Sequence, residues 1–132
     1  MATDFPMSRR PNPFIEYNGI EIVSISPEHS VLKATITKNS QNPFGRIHGG
    51  LMCTMMDSVA GITARADEHT YVTQNMYVNF LGNVTDAEVI YAESNVVKRG
   101  RTLTIVHTIV RTEDGKLLAD GTVDMFRTDI LI

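Results

Sequence analysis

The sequence is short of cysteine, of net charge and of long apolar runs, and each shortage excludes a class of protein. Its single cysteine, Cys53, excludes an internal disulfide and indicates a reducing compartment, so we expect a cytoplasmic protein. Twelve basic against fifteen acidic residues leave a net charge of −3, which gives no general attraction to nucleic acid or anionic membranes. No apolar run approaches the ~20 residues of a membrane-spanning helix.

The pattern of apolar residues indicates one domain of the α+β class. A chain of 132 residues is long enough for a single core. We assign residues 14–132 to that domain and residues 1–13 to a flexible arm. Alternating apolar residues predict two strands before one long helix and four after it, at residues 20–25, 31–37, 71–81, 87–97, 102–112 and 117–128. We therefore expect an antiparallel six-stranded sheet wrapped around one central helix, in a dimer or larger assembly.

The predicted central helix, residues 51–66, begins directly after two glycines, Gly49 and Gly50. The N–H groups of a first helical turn have no intrahelical acceptor and carry partial positive charge, so they attract an anionic oxygen. Glycine has no side chain to block that approach. We therefore interpret Gly49 and Gly50 as a binding point for a negatively charged or polarised oxygen of a substrate.

One carboxylate, Asp57, lies within the predicted helix on a face made of small residues. At about 100° per residue this face is opposite a broad apolar face. Because Lys and Glu are absent from it, we predict that the helix is buried on both sides. A carboxylate in such a tight, partly dry environment can have its protonation and reactivity tuned. The combination of this carboxylate with the glycine-rich helix start predicts acyl chemistry.

These features together resemble the PaaI-type hotdog-fold acyl-CoA thioesterases, over essentially all of the chain after about residue 13. The residues that carry the resemblance lie in the polar loop, at the helix start and within the helix: Asn42, Gly45, His48, Gly49, Gly50 and Asp57. The resemblance implies the hotdog fold and hydrolysis of an acyl-CoA thioester to a free acid and CoA. It also implies a homodimer with shared active sites, and pairing of two dimers.

The resemblance assigns roles to individual residues. Asp57 matches the catalytic carboxylate, acting as nucleophile or as general base for water, and Gly49 matches the glycine whose N–H polarises the thioester carbonyl. Asn42 and His48 match the residues that orient substrate or water. A hydroxyl from the strand after the helix falls at Thr73, where relatives often have serine. In such a dimer, Asp57 of one subunit faces the loop and helix start of the other.

A basic turn supplies a candidate site for the phosphates of CoA. Lys98, Arg99 and Arg101 surround Gly100 between two predicted strands, forming a compact basic patch within an acidic chain. A solvated hairpin tip has the same composition. The sequence leaves both interpretations open.

Two other functions fit the same residues. A hotdog hydratase or dehydratase would use His48 and Asp57 to move water across the double bond of an enoyl-CoA, although Gly49, Gly50 and Asn42 favour hydrolysis. A non-catalytic module that only binds acyl-CoA is the third interpretation. No group of His, Cys, Asp and Glu residues has metal-ligand spacing, so none of these interpretations includes a metal or a cofactor.

Overall fold

Two α-helices and six strands form the part of the chain that the computed structural model describes, residues 4–128. In chain order they are α1 (Pro13–Tyr17), β1 (Ile20–Ser24), β2 (Val31–Thr35), α2 (Gly49–Ala64), β3 (Tyr71–Phe80), β4 (Val89–Arg99), β5 (Leu103–Thr112) and β6 (Leu117–Arg127). The strands form one antiparallel sheet in the order β1-β2-β4-β5-β6-β3. The predicted hotdog arrangement of one long helix on a six-stranded sheet is confirmed. Within these residues, neither helix has the length and apolar character needed to cross a bilayer.

The apolar side of α2 packs on the sheet and fixes the position of the helix. Met52, Met55, Met56 and Val59 are at most 1% exposed. They share one core with buried residues of five strands, among them Leu32, Ile90, Val110 and Leu118. Burying each such side chain stabilises the fold by roughly 1.5–3 kcal/mol. The helix therefore holds the side chains on its other face in a defined place.

The second face of α2 is buried only in its C-terminal half. The small residues there are buried: Ala60, Gly61 and Ala64. The residues nearer the N-terminus are partly exposed: Cys53, Thr54, Asp57 and Ser58. The predicted burial on both sides is thus found only in the C-terminal half, where small residues let neighbouring segments approach. The N-terminal half of this face, which carries Asp57, is partly exposed.

The helix bounds differ slightly from the prediction. The helix begins at Gly49 instead of residue 51, because its two glycines adopt helical geometry after the cap residue His48. It ends at Ala64, and the chain continues as a 3-10 turn, Arg65–Asp67. Glu68 then takes a left-handed conformation with φ of 67°, which ends the helical path.

At Gly121, strand β6 leaves no room for a side chain beside the backbone of β3. Gly121 pairs with Val78, and a Cβ atom at this glycine would lie 1.9 Å from the backbone carbonyl oxygen of Tyr77. A larger residue would therefore require β3 to move. Strand β3 is an edge strand, since β6 is its only neighbour in the sheet of described residues.

The N-terminal segment, predicted as a flexible arm over residues 1–13, contacts the rest of the chain at some of its described residues. Met7 accepts a hydrogen bond from Arg65, directly after α2, and Ser8 contacts the C-terminal half of the helix. Ser8 is 2% exposed, and its hydroxyl donates to the carbonyl oxygen of Ile62 at 2.6 Å. Hydrogen bonds of this kind leave no apolar periodicity in a sequence, which is why the pattern indicated no structure here. Residues 1–3 of the predicted arm and residues 129–132 of the predicted domain lie outside the described residues.

Candidate active site

His48 is the cap residue at the start of α2. Its Nδ1 accepts the N–H of Gly50 at 2.8 Å, and its own N–H donates to the carbonyl oxygen of Ser40 at 2.8 Å. Because Nδ1 accepts, the neutral imidazole carries its proton on Nε2. The exposed His48 ring therefore presents an N–H donor to its surroundings. The N–H of Gly50 is occupied by this cap, so Gly50 offers no free donor to a substrate.

The N–H of Gly49 is the open donor at the helix tip. Within residues 4–128 it has no hydrogen-bond acceptor, as expected for the first residue of a helix. The ring of Phe80 lies 3.1 Å from the position that a Cβ atom would take at Gly49. The tip thus combines a polar donor with an aromatic cover, and Phe80 is a residue that the sequence reasoning did not place here.

Asn42 and Asn83 hold the loop that precedes α2. The Oδ1 atom of Asn42 accepts the N–H groups of Phe44 at 2.9 Å and Arg46 at 3.1 Å. The side chain of Asn83 donates to the carbonyl oxygen of Ile47 at 3.0 Å and accepts its N–H at 3.2 Å. Asn42 therefore shapes the loop with its side-chain oxygen, and its Nδ2 amide has no acceptor within residues 4–128. Asn83 was missed, because a glycine–asparagine pair indicates only a turn.

Asp57 lies in the middle of α2 and contacts strand β3. The hydroxyl of Thr73 donates to Asp57 Oδ1 at 2.5 Å and lies 3.6 Å from the sulfur of Met125. The hydroxyl residue expected from the strand after the helix is thus in contact with the carboxylate. A hydroxyl donor fixes one carboxylate oxygen and leaves the other for a further partner.

One copy of the chain does not bring all the predicted site residues together. Asp57 is eight residues from Gly49 along the helix, which is about 12 Å of axial rise. The candidate site therefore has two halves. One half consists of Asp57 and Thr73, and the other consists of the residues of the loop and helix tip, Asn42, His48 and Gly49.

A cavity of about 460 Å³ lies beside Asp57. This volume is within the roughly 300–1,000 Å³ typical of small-molecule sites. Its walls come from α2 and the turn after it, from β1, β3 and β6, and from the N-terminal segment with α1. Apolar residues in the walls include Ile15, Ile20, Ile62, Val72 and Met125, and polar ones include Ser8, Ser58 and Arg65. Within residues 4–128, no three His, Cys, Asp or Glu side chains are arranged to hold a metal ion.

In the basic turn, residues 98–101, the side chain of Arg99 points inward to α2, whereas Lys98 and Arg101 form an outward, exposed part. The guanidinium of Arg99 donates to the carbonyl oxygens of Thr63 and Ala64, both at 3.0 Å, and to the carboxylate of Asp67 at 3.0 Å. Arg99 therefore caps the C-terminus of α2, where a positive charge is favourable. Lys98 is exposed. Both terminal nitrogens of Arg99 have protein acceptors, so this side chain is not free to bind a phosphate.

The rest of this turn is consistent with a tight hairpin. Arg101 is exposed. At Gly100, a Cβ atom would lie 2.9 Å from the carbonyl oxygen of Leu103, so a side chain does not fit. Nearby, burial and the adjacent Asp67 carboxylate raise the pKa of Tyr71. Its hydroxyl donates to Asp67 at 2.5 Å.

Sequence comparison identifies relatives of this chain. A family model described as Thioesterase superfamily matches residues 44–119, a range that contains α2 and strands β3 to β5. Acyl-coenzyme A thioesterase 13 of Mus musculus is 26% identical over 105 residues, which are 77% of this chain and 75% of that protein.

Comparison with solved structures gives the same fold. A hypothetical thioesterase of Streptococcus pneumoniae, solved with coenzyme A, matches with a TM-score of 0.81 at 23% identity, covering 96% of this chain and 95% of that chain. The PaaI protein of E. coli, from the phenylacetic acid degradation operon, matches with a TM-score of 0.84 at 18% identity, covering 89% and 85%. Variants of the S. pneumoniae protein with one aspartate or one threonine changed to alanine have also been solved.

Proposed function

The chain belongs to the thioesterase superfamily, and from this premise we propose that it hydrolyses acyl-CoA thioesters with Asp57 as the catalytic carboxylate. The observation that carries the proposal is the Asp57–Thr73 contact at the edge of a cavity of acyl-group size. The aspartate and the threonine replaced in the S. pneumoniae variants are 16 residues apart in that chain. Asp57 and Thr73 are also 16 residues apart.

The complete site is assembled from two copies of the chain. The about 12 Å between Asp57 and the helix tip is too far for both to contact one thioester group, so the second half must come from elsewhere. Strand β3 has an unpaired edge and exposed apolar side chains, Val72 and Tyr77 at 51% and 65%. An exposed, ten-residue edge strand of this kind is a template for pairing with another chain. We include a dimer formed through β3, and a dimer of such dimers, in the proposal.

The chemistry follows from the charge that develops during hydrolysis. Attack on the thioester carbon pushes negative charge onto the carbonyl oxygen, and the N–H of Gly49 is a donor positioned for it. The His48 Nε2–H and the Asn42 amide orient the substrate or the attacking water. These three residues belong to one copy of the chain and Asp57 to the other.

Asp57 has two possible roles, which the geometry supports equally. As general base, it takes a proton from water while the water oxygen bonds to the acyl carbon; the carbon–sulfur bond then breaks and CoA leaves as a thiolate that takes up the proton. As nucleophile, its free oxygen bonds to the acyl carbon and expels the thiolate, and water then hydrolyses the mixed anhydride. Both routes yield a free acid and CoA.

The phosphates of CoA are assigned to the outward part of the basic turn. Lys98 and Arg101 are exposed. The ammonium of Lys98 can contact a phosphate as a point charge, and the planar guanidinium of Arg101 can bind one through two hydrogen bonds. Gly100 contributes the tight turn that presents them, and Arg99 is not retained because it caps α2. The cytoplasmic location expected from the single cysteine also remains part of this proposal.

Release of CoA thiol from acyl-CoA, followed with a thiol reagent, tests the function. Asp57→Asn keeps the size of the side chain and an acceptor for Thr73 but removes the negative charge. We expect kcat to fall about a hundredfold to ten-thousandfold, with the elution volume of the dimer unchanged. The matched control is Asp86→Asn, which changes an exposed carboxylate in the loop after β3 and should retain activity.

Three results would contradict the proposal in distinguishable ways. Undiminished hydrolysis by Asp57→Asn removes the assigned role of the carboxylate. Loss of absorbance from an enoyl-CoA without thiol release indicates a hydratase. Calorimetric binding of acyl-CoA with no reaction in either assay indicates a module that only binds.

A further inference from the structure

A partly buried arginine lies in the cavity close to Asp57. Arg65 follows α2 directly, and its side chain runs back over Gly61, where a terminal nitrogen is 2.9 Å from the position a Cβ atom would take. Gly61 is one turn from Asp57, about 6 Å along the helix axis. The missing side chain at Gly61 therefore gives the guanidinium room to approach the carboxylate.

The guanidinium of Arg65 has donors that the protein does not use. Its Nε donates to the carbonyl oxygen of Met7 at 3.1 Å, whereas its terminal nitrogens have no hydrogen-bond acceptor within residues 4–128. Burial lowers the pKa of Arg65, and the negative charge of Asp57 opposes this effect. A cation removed from water is costly unless it is paired and hydrogen-bonded. The open donors of Arg65 are thus suited to an anionic oxygen from a ligand.

The other charges of the cavity lie at its rim. The rim residues are exposed and balanced, with two arginines and two glutamates: Arg9, Arg10, Glu16 and Glu21. Asp57 and Arg65 are the partly buried charges in the walls. Charges interact more strongly where water is excluded. Arg65 is therefore the cation that an acyl group inside the cavity meets.

We propose that the cavity binds a short dicarboxylic acyl group, with the thioester carbon at Asp57 and the terminal carboxylate on the guanidinium of Arg65. This inference rests on the proposed thioesterase function and adds the class of substrate. A planar guanidinium binds a carboxylate through two parallel hydrogen bonds. The apolar side chains of Ile62, Val72 and Met125 line the same cavity and are available to the methylene groups. Glutaryl-CoA represents this class.

Two thioesters of matched shape test the inference. Glutaryl-CoA ends in a carboxylate, and 5-methylhexanoyl-CoA has two methyl groups in place of its two terminal oxygens. We expect kcat/KM of the wild-type protein to be about tenfold or more higher for glutaryl-CoA, as a hydrogen-bonded charge pair allows. In Arg65→Met this ratio should fall to one or below. Arg65→Lys, which keeps the charge without the planar fork, should give an intermediate ratio.

The control variant is Arg9→Met, which removes a rim arginine and should keep the wild-type ratio. A ratio lost equally in Arg9→Met would overturn the assignment to Arg65. Equal hydrolysis of both thioesters by the wild type would overturn the inference and leave the thioesterase function standing. If neither is hydrolysed, calorimetry with glutarate decides separately: binding that Arg65→Met abolishes supports the pocket, and no binding to the wild type overturns it. Circular dichroism checks that each variant is folded.

Discussion

The two ends of α2 have opposite relations to the protein around them. At the C-terminal end, the last carbonyl groups of the helix accept hydrogen bonds from Arg99, and Asp67 and Tyr71 complete the cluster. At the N-terminal end, His48 caps the N–H of Gly50, while the N–H of Gly49 has no acceptor within residues 4–128. One terminus is closed by side chains of its own chain, and the other is left open.

The difference separates the stabilisation of the helix from the chemistry that we propose for it. Unpaired backbone groups at a helix end must be satisfied by side chains, water or a ligand. The closed end satisfies them internally and fixes the helix in the sheet. The open end leaves the N–H of Gly49 unpaired within the described residues. The packing of the apolar side of α2 compensates for the free energy that this unpaired donor costs. Substitutions at the two ends should therefore separate activity from stability.

The largest expected effect is on activity, at the open end. Gly49→Pro deletes the N–H donor, and proline is well tolerated at the first position of a helix. His48 has φ of −67° and ψ of 130°, which suits a residue that precedes proline. Losing one donor of this kind typically raises the barrier by about 2.7–4 kcal/mol, or about a hundredfold to a thousandfold in kcat.

The control for that variant is Gly49→Ala, which keeps the N–H and adds the same Cβ atom against the ring of Phe80. Its kcat should lie well above that of Gly49→Pro. Equal rates for the two variants would mean that crowding of Phe80, and not loss of the donor, lowers activity. Thiol release from acyl-CoA is the measurement in both cases.

The next effect is on stability, at the closed end. Arg99→Met leaves the Asp67 carboxylate without its charge partner and removes the guanidinium donors from the carbonyl oxygens of Thr63 and Ala64. Because the pair is about three-quarters buried, with exposures of 25% and 23%, we expect a loss of about 2–3 kcal/mol in the free energy of unfolding. Urea denaturation measures it, and Lys98→Met, at an exposed neighbour, should change stability by less than about 0.5 kcal/mol.

Activity sharpens this second test. If Arg99 is only a cap, the KM of the folded Arg99→Met variant for acyl-CoA should equal that of the wild type. A raised KM would instead return Arg99 to the group of residues that bind the phosphates of CoA.

The smallest expected effect distinguishes two roles of the His48 side chain, capping of the helix and orientation of the substrate. His48→Asn keeps an acceptor for the helix cap but removes the imidazole, whereas His48→Ala removes both. His48→Ala should lose about 1 kcal/mol of stability relative to His48→Asn. Both should lose activity if the Nε2–H orients the substrate. Full activity in His48→Asn would restrict His48 to capping.

Periodicity was sufficient to predict the sheet and the helix. In β1 the apolar positions change phase between Ile22 and Val23, and the strand has a bulge there. The register shift lies between Ile22 and Ser24. The orientation of the Arg99 side chain toward α2 could not be predicted from composition. A second bulge in β4, between Val96 and Lys98, reverses the alternation of the strand and directs Arg99 toward α2. The bulge lies at the apolar pair Val96 and Val97, and the basic composition of the turn that follows does not indicate it.

Some contacts of the candidate site could likewise be predicted from the sequence, and others could not. The contact between Asp57 and Thr73 agrees with the position expected from the resemblance, because a strand that follows a helix packs along it. Arg65 and Ser8 were not singled out, since each depends on a long-range contact: Arg65 with Met7 and Ser8 with Ile62. A sequence shows local pattern, and such contacts form only once the fold brings distant segments together.

Gly121 makes the proposed reactive centre sensitive to a position outside the proposed substrate contacts. A single methyl group there would meet the backbone of Tyr77 and displace β3 from its neighbour. That strand carries Thr73 near one end and Phe80 at the other, so the hydroxyl on the carboxylate and the aromatic cover of the helix tip would shift together. If β3 also joins two copies of the chain, a side chain at this position would displace both proposed catalytic centres of the dimer.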